Sequence, residues 1–363
     1  MWSKTKELTH HQTNPVNQTG AGRLLRSLPI MIVVIGVVLA GMTRLQQVFN
    51  WQNGIVVAIT EGVGNFSAVF LGIFIEAAPF LLMGTLASGL VEVIFTSAEL
   101  GRLLPRNRFL AVGLGSVLGL FFPVCECGSI PLARRLMSKG IPVPVGIAFL
   151  LAAPVINPIV IASTFTAFGN SLIFWLRFAL TLFIAIGVGL LFLFEPDRSR
   201  ILRPASAGTF HAFHLHYDHE GDPQSLYFKE KIKKMMVVAA DEFFEMGRFL
   251  VIGALLAALM QTIVPQQWLL SLGQGPVLSV IVLSLVAVLL SVCSTVDSFI
   301  ALAFSGTFST GALLAFLVYG PMVDIKATLM YLRVFRRSIV VLLVLLPWLL
   351  TLIAGVAINL WVR

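Results

Sequence analysis

The sequence predicts an all-α polytopic integral membrane protein built from two inverted-topology repeats. Each repeat carries a broken, re-entrant helical hairpin, and one extra N-terminal transmembrane helix precedes them. Three observations predict this. Only 12% of the 363 residues are charged and 58% are hydrophobic, with a mean hydropathy of +0.93, whereas soluble domains average about 25% charged. The apolar residues fall in runs of roughly 18–27, the length a helix needs to cross a bilayer. Segments of the first half also recur in the second at a nearly constant offset.

The elements follow from where Lys and Arg fall, since cytoplasmic loops retain basic residues. Residues 1–27 form a polar N-terminus with Lys4, Lys6, Arg23 and Arg26, expected in the cytoplasm, and no cleavable signal peptide is expected. Residues 28–48 are the extra transmembrane helix, and 49–65, without Lys or Arg, lie outside. The first repeat, 66–194, returns to a basic loop with Arg102, Arg106 and Arg108. Next comes FFPVCECGSIP at 121–131, and then Arg134, Arg135 and Lys139. A full crossing by 109–133 would strand that second basic cluster outside. A re-entrant hairpin breaking at Pro123–Gly128 keeps it inside. Residues 141–168 then go out, FGNS turns, and 171–194 returns.

The loop 195–234 holds seven basic residues and is expected in the cytoplasm. The second repeat, 235–363, leaves through 235–264 and makes a hairpin near 277–308. It re-enters through 311–330, keeps Arg333, Arg336 and Arg337 inside, and exits through 338–361. Most of the 25 basic residues are cytoplasmic on this path; Arg44, Arg177, Arg248, Lys326 and Arg363 are the exceptions.

The repeat rests on three anchors separated by about 168 residues. Phe74–Gly84 (FIEAAPFLLMG) and Phe243–Gly253 (FFEMGRFLVIG) both fit F-x-E-x3-F-L-x2-G, which pairs Glu76 with Glu245. AFLLAAP at 148–154 pairs with AFLVYGP at 315–321, and Val124–Cys125 pairs with Val292–Cys293. Inverted repeats with discontinuous helices are a transporter design in which substrate sits near the midplane.

The chain's three cysteines, Cys125, Cys127 and Cys293, all fall at the two predicted breaks. Buried cysteine also serves as a small core hydrophobe, but three at related breaks point to a soft ligand such as Cu(I), Zn(II) or trivalent arsenic. With them, Glu126, Gly128, Asn157 and Asp297 form the candidate substrate site. Glu76, Glu245 and Asp324 are candidate proton-coupling groups, because ionisable residues inside a membrane are functional candidates by default. For Glu245 the structural alternative is an i, i+3 pair with Arg248, and for Asp324 a pair with Lys326 near the cytoplasmic end. In the central loop, His211, His214, His216 and His219 form a tract that either binds Zn(II) or Ni(II) or is a solvated linker. No P-loop is present, so a proton gradient is the expected energy source, and no cofactor is expected.

PVCECGSIPLARRLMSKGIPVPVGIAFLLAAPVINP and the paired F-x-E-x3-F-L-x2-G segments resemble a predicted permease family across residues 66–361. Its best understood members export trivalent organoarsenicals. The resemblance implies an all-helical permease of the plasma (inner) membrane, not an enzyme, that exports thiol-reactive metalloids or metals. The expected partners are the lipid bilayer and a small-molecule or ion substrate. Nucleic acid is not expected, and whether the chain acts alone or as a homo-oligomer stays open. A transmembrane thiol–disulfide relay between Cys125 and Cys293 is the alternative.

Overall fold

The computed structural model describes residues 54–96, 99–100, 102, 104–122, 124–194, 201–202, 228–263 and 275–361. The extra helix at 28–48 and the four loop histidines lie outside the described residues. The chain divides into two units, Met1–Gly64 and Asn65–Arg363. Of the first, only the opening turns of a long helix are described; the second holds the helical body.

The helices are α1 (Gly54–Ile94), α2 (Arg108–Val117, extended by a 3₁₀ turn at Leu118–Phe121), α3 (Glu126–Ser138), α4 (Val143–Ala152), α5 (Pro158–Phe168) and α6 (Leu172–Leu191). Then come α7 (Phe228–Ile263), α8 (Leu278–Leu290), α9 (Asp297–Phe304), α10 (Thr310–Met322), α11 (Ile325–Val334) and α12 (Arg337–Trp361). At 1.5 Å per residue a helix needs about 20 residues to cross a 30 Å hydrocarbon layer. Thr60–Ile94, Leu172–Phe194, Glu230–Ile263 and Arg337–Trp361 are long and apolar enough to do so, as is Thr310–Val334 when α10 and α11 are taken together. By contrast α2, α3, α8 and α9, with 10, 13, 13 and 8 residues, each stop part-way.

Both halves present these lengths in one order: a long helix, a broken pair, a second broken pair, a long helix. The second breaks differ from the sequence expectation, because 141–168 is not one continuous helix. Pro154 supplies no backbone N–H, and Pro158 holds Asn157 extended at φ −139°, ψ 157°. The helix therefore stops at Ala152 and restarts at Pro158. Residues 311–330 likewise step from α10 to α11 across Val323 and Asp324.

Helix α4 packs on α2 and α6, and α10 packs on α8 and α12 in the matching way. The halves meet where α3 lies on α11, α9 on α5 and α12 on α6. Helix α4 is buried along its length, as is α10, whereas Ile75, Phe183 and Ile353 on the long helices are about two-thirds exposed, at 66%, 66% and 67%. Large apolar side chains that face outward all round mark a surface solvated by lipid rather than water.

A charged collar gathers three helix ends. Glu92 near the end of α1 meets Arg135 (3.4 Å) and Lys139 (3.3 Å) at the end of α3, and Lys234 (3.6 Å) near the start of α7. The Lys139 ammonium also donates to the carbonyls of Val91 (3.2 Å) and Phe95 (2.7 Å), in the last turn of α1 and just beyond it. The ends of α1 and α3 therefore lie together at this end of the helical body.

Candidate functional site

A broken helix frees backbone groups that lipid cannot satisfy. At the first break, between α2 and α3, the Cys125 carbonyl accepts from the N–H groups of Gly128 (3.1 Å) and Ser129 (2.9 Å). The Val124 carbonyl accepts from the Asn157 amide at 3.4 Å. The second break, between α8 and α9, leans on side chains more heavily. Gln261 donates to the carbonyls of Leu289 (3.3 Å) and Leu290 (2.7 Å), Lys326 to that of Ser291 (2.6 Å), and Arg177 to that of Ser294 (3.4 Å). Ser291 itself is left-handed at φ 45°, ψ 41°, a conformation uncommon for any residue but glycine, and it turns the chain out of α8.

The two breaks bring the cysteines together. Cys125, Cys127 and Cys293 are free thiols, exposed by 4%, 0% and 2%. All three lie in one buried core cluster, so both halves of the chain contribute thiols to the same interior. One ligand atom each from Cys125, Glu126 and Cys127 lie within 4.8 Å of one another, close enough for a single ion. Gly128, predicted with this group, also packs against α1. A Cβ on Gly84 of α1 would fall 2.2 Å from the Gly128 Cα, so the two glycines let α1 and α3 cross backbone to backbone.

Beside the thiols is a charged cluster. Lys326, 1% exposed, places its ammonium 3.5 Å from Glu126 Oε1 and 3.3 Å from Asp324 Oδ2. Glu76 lies within electrostatic reach of this ammonium, and its buried Oε1 has no hydrogen-bond partner. Asp324 also accepts the Ala327 N–H at 2.6 Å as the N-cap of α11. Asn157 does the same for α5, accepting from Val160 at 2.9 Å. These two polar side chains, predicted as proton carrier and ligand, thus hold corresponding helix starts in the two halves.

Asp297 and Glu245 are engaged with arginines. Asp297 accepts from the buried Arg177 guanidinium at 2.7 Å, and Arg177 also donates to Thr164 (2.9 Å) and Ser298 (2.8 Å). Glu245 is held by Arg134 of α3 (3.0 Å) and Arg333 of α11 (2.8 Å); these, rather than Arg248, are its ion-pair partners. Neighbouring Glu242 takes Arg135. Tertiary packing decides the matter, since α3 and α11 both lie against α7 and bring guanidinium groups to that face.

Sequence reasoning missed Lys326, Arg177 and Glu242 as interior groups. A signal existed for the first two: each is a lone cation in an otherwise apolar stretch and departs from the basic-loop pattern. Such a residue needs a buried partner, but only the fold reveals that Glu126, two hundred positions away, is that partner for Lys326.

A UPF0718 protein of Bacillus subtilis (strain 168), YcgR, is 43% identical over 282 residues, covering 77% of this chain and 92% of its own. A protein of Streptococcus mutans serotype c (strain ATCC 700610 / UA159), named "Putative two-component membrane permease complex subunit", is 38% identical over 274 residues, covering 75% of this chain and 88% of its own. No solved structure matches the chain. The model of a family described as "Predicted permease" matches residues 63–360, nearly the whole described helical body. The chain belongs to this predicted permease family and is a multi-pass membrane permease, not an enzyme.

Proposed function

We propose that this permease exports a thiol-reactive soft metalloid or metal species, captured near the membrane midplane by Cys125, Cys127 and Cys293. One observation carries the reading: the chain's three cysteines are free and buried in one core cluster, at two helix breaks contributed by opposite halves. Thiolates prefer soft ions, and a site shared between halves forms or opens as the halves rock against each other. Trivalent organoarsenicals are the first cargo to test, by the family resemblance. A neutral dihydroxy-organoarsenic(III) bound by two thiols forms two As–S bonds and releases two waters, with no change in oxidation state. Glu126, Gly128, Asn157 and Asp297 support the site by pairing, close packing, capping and anchoring. Glu76, with its unpartnered oxygen, is the proposed proton carrier. The membrane is the plasma (inner) membrane, with the N-terminus in the cytoplasm. The streptococcal relative's name suggests a second membrane component, which co-purification would identify.

The test is resistance in a sensitive strain expressing the full chain. Single Cys125→Ser, Cys127→Ser and Cys293→Ser variants are expected to lose protection against methylarsenite or the soft metal that the wild type exports. Full resistance in the triple variant would remove the thiolate mechanism. A thiol–disulfide relay is less favoured, because C-E-C lacks the two-residue spacer of C-x-x-C redox pairs.

A further inference from the structure

Discontinuous helices give membrane transporters their cation sites, built from unwound carbonyls at the C-terminal end of a half-helix together with carboxylates. Helix α8 ends in this way. Its last turn carries the negative end of the helix dipole, and the left-handed Ser291 turns its carbonyl inward. Glu126 Oε1 and Asp324 Oδ2 complete a set of three oxygens around one point. At that point stands the Lys326 ammonium, 2.6 Å from the Ser291 carbonyl and 3.3 and 3.5 Å from Asp324 and Glu126. The ammonium donates to the Ser291 carbonyl and to Glu126 Oε1 and forms an ion pair with Asp324 Oδ2. Helix α7 packs closely against the root of this side chain, since a Cβ on Gly253 would fall 2.7 Å from the Lys326 Cα. The set has capacity to spare: Glu126 Oε2, outside those three oxygens, is buried without a hydrogen-bond partner in a residue 2% exposed.

We propose that Lys326 is a built-in counter-ion that fills the cation site of the second broken helix, so that the permease works without sodium. A sodium ion and an ammonium do the same electrostatic work here, holding two carboxylates and a helix end together across the two halves. The tethered cation needs no gradient, which leaves protons as the coupling ion. The inference rests on the permease reading but not on the cargo or the cysteines.

The test uses the full-length chain in lipid–detergent micelles at pH 8, with sodium chloride exchanged for N-methyl-D-glucamine chloride at equal concentration. The wild-type Tm is expected to stay within about 1 °C, because a site filled by the chain has nothing to bind. Lys326→Ala empties the site, and its Tm is expected to rise by about 3 °C or more in sodium, saturably. Lys326→Met removes the charge but fills the space, and is expected to show no sodium effect. A sodium-stabilised wild type overturns the proposal, and so does a Lys326→Ala protein with no more sodium response than the wild type. If Lys326→Ala does not fold, Lys326→Ala/Asp324→Asn, with one less uncompensated carboxylate, is held to the same criterion. Because the cysteines are intact throughout, failure here leaves thiol capture standing. Loss of thiol capture would leave this result unaffected.

Discussion

Replacing Arg177 with methionine removes the cation from a pair that water does not reach. The guanidinium is 0% exposed and its Asp297 partner 3%, at 2.7 Å. Methionine keeps the apolar bulk but leaves the Asp297 carboxylate with Ser298 (3.2 Å) as its side-chain partner, and Thr164 loses a donor. Breaking one side of a buried pair costs about 3–5 kcal/mol, because the stranded charge keeps its desolvation penalty. The lower end applies here, since α6 stays in lipid even when the tertiary fold is lost. Arg177→Met is therefore expected to destabilise by about 3 kcal/mol. Arg177→Met/Asp297→Asn removes the stranded charge and loses only neutral hydrogen bonds at about 1 kcal/mol each, so it is expected to recover part of that loss. Stability is measured by denaturant titration of the folded protein in mixed micelles. A single variant within about 1 kcal/mol of wild type, or a double variant less stable than the single, would refute the assignment of Arg177 and Asp297 as a structural anchor. It would return Asp297 to the candidate ligands.

Three further outcomes are expected from the geometry. Gly84→Ala sets a Cβ 2.2 Å from the Gly128 Cα, and the resulting separation of α1 and α3 is expected to cost about 3 kcal/mol or the folded protein itself, read as monodisperse yield on size exclusion. Asn157→Ala loses the α5 cap and the bond to Val124, with an expected cost of about 1–2 kcal/mol, whereas Asn157→Asp keeps the cap acceptor but turns a buried carboxylate toward the carbonyls of Val124, Ala153 and Pro154 and is expected to cost no less. Glu92→Gln touches contacts with Arg135, Lys139 and the half-exposed Lys234, and its cost is expected to stay within about 1 kcal/mol, measured by the same titration.

The first break is legible in the sequence because proline, glycine and paired basic clusters are local signals. Pro123 and Gly128 disfavour a continuous helix, and Arg134, Arg135 and Lys139 require the chain to turn back. The second breaks carry prolines too, yet in AFLLAAPVINP the long apolar run outweighs them, and the stretch reads as one crossing. Partner choice is less legible still. Glu245 has Arg248 three residues away, the nearest cation along the helix, but its carboxylate is taken by Arg134 and Arg333 from other helices. Proximity pairs Lys326 with Asp324, which is only part of its contacts. The rest, to Glu126 and Ser291, depends on how α3 and α8 are brought together, and helical periodicity does not encode that. Cysteine is easier to read, because three residues at two breaks are conspicuous wherever the breaks meet.

Glu76 and Glu245 occupy the same place in the recurring F-x-E-x3-F-L-x2-G segment but have opposite surroundings, and this difference decides which one suits proton coupling. Glu245 is clamped by two guanidinium groups at 3.0 and 2.8 Å; taking up a proton would weaken both ion pairs at once. Glu76 has an oxygen with no hydrogen-bond partner and sees a single cation, Lys326, at longer range. A carrier must alternate between charged and neutral without dismantling the fold, and of the two only Glu76 is arranged for that. Glu76→Gln is therefore expected to leave stability close to wild type while abolishing pH-driven export, read as cargo accumulation in everted vesicles with and without an imposed proton gradient. Glu245→Gln is expected to behave the other way, losing about 1–2 kcal/mol of stability while its remaining activity still responds to the gradient. Gradient-dependent export by Glu76→Gln at wild-type rate would end the case for Glu76, and the coupling proton would then have to be carried at the Glu126–Asp324–Lys326 cluster.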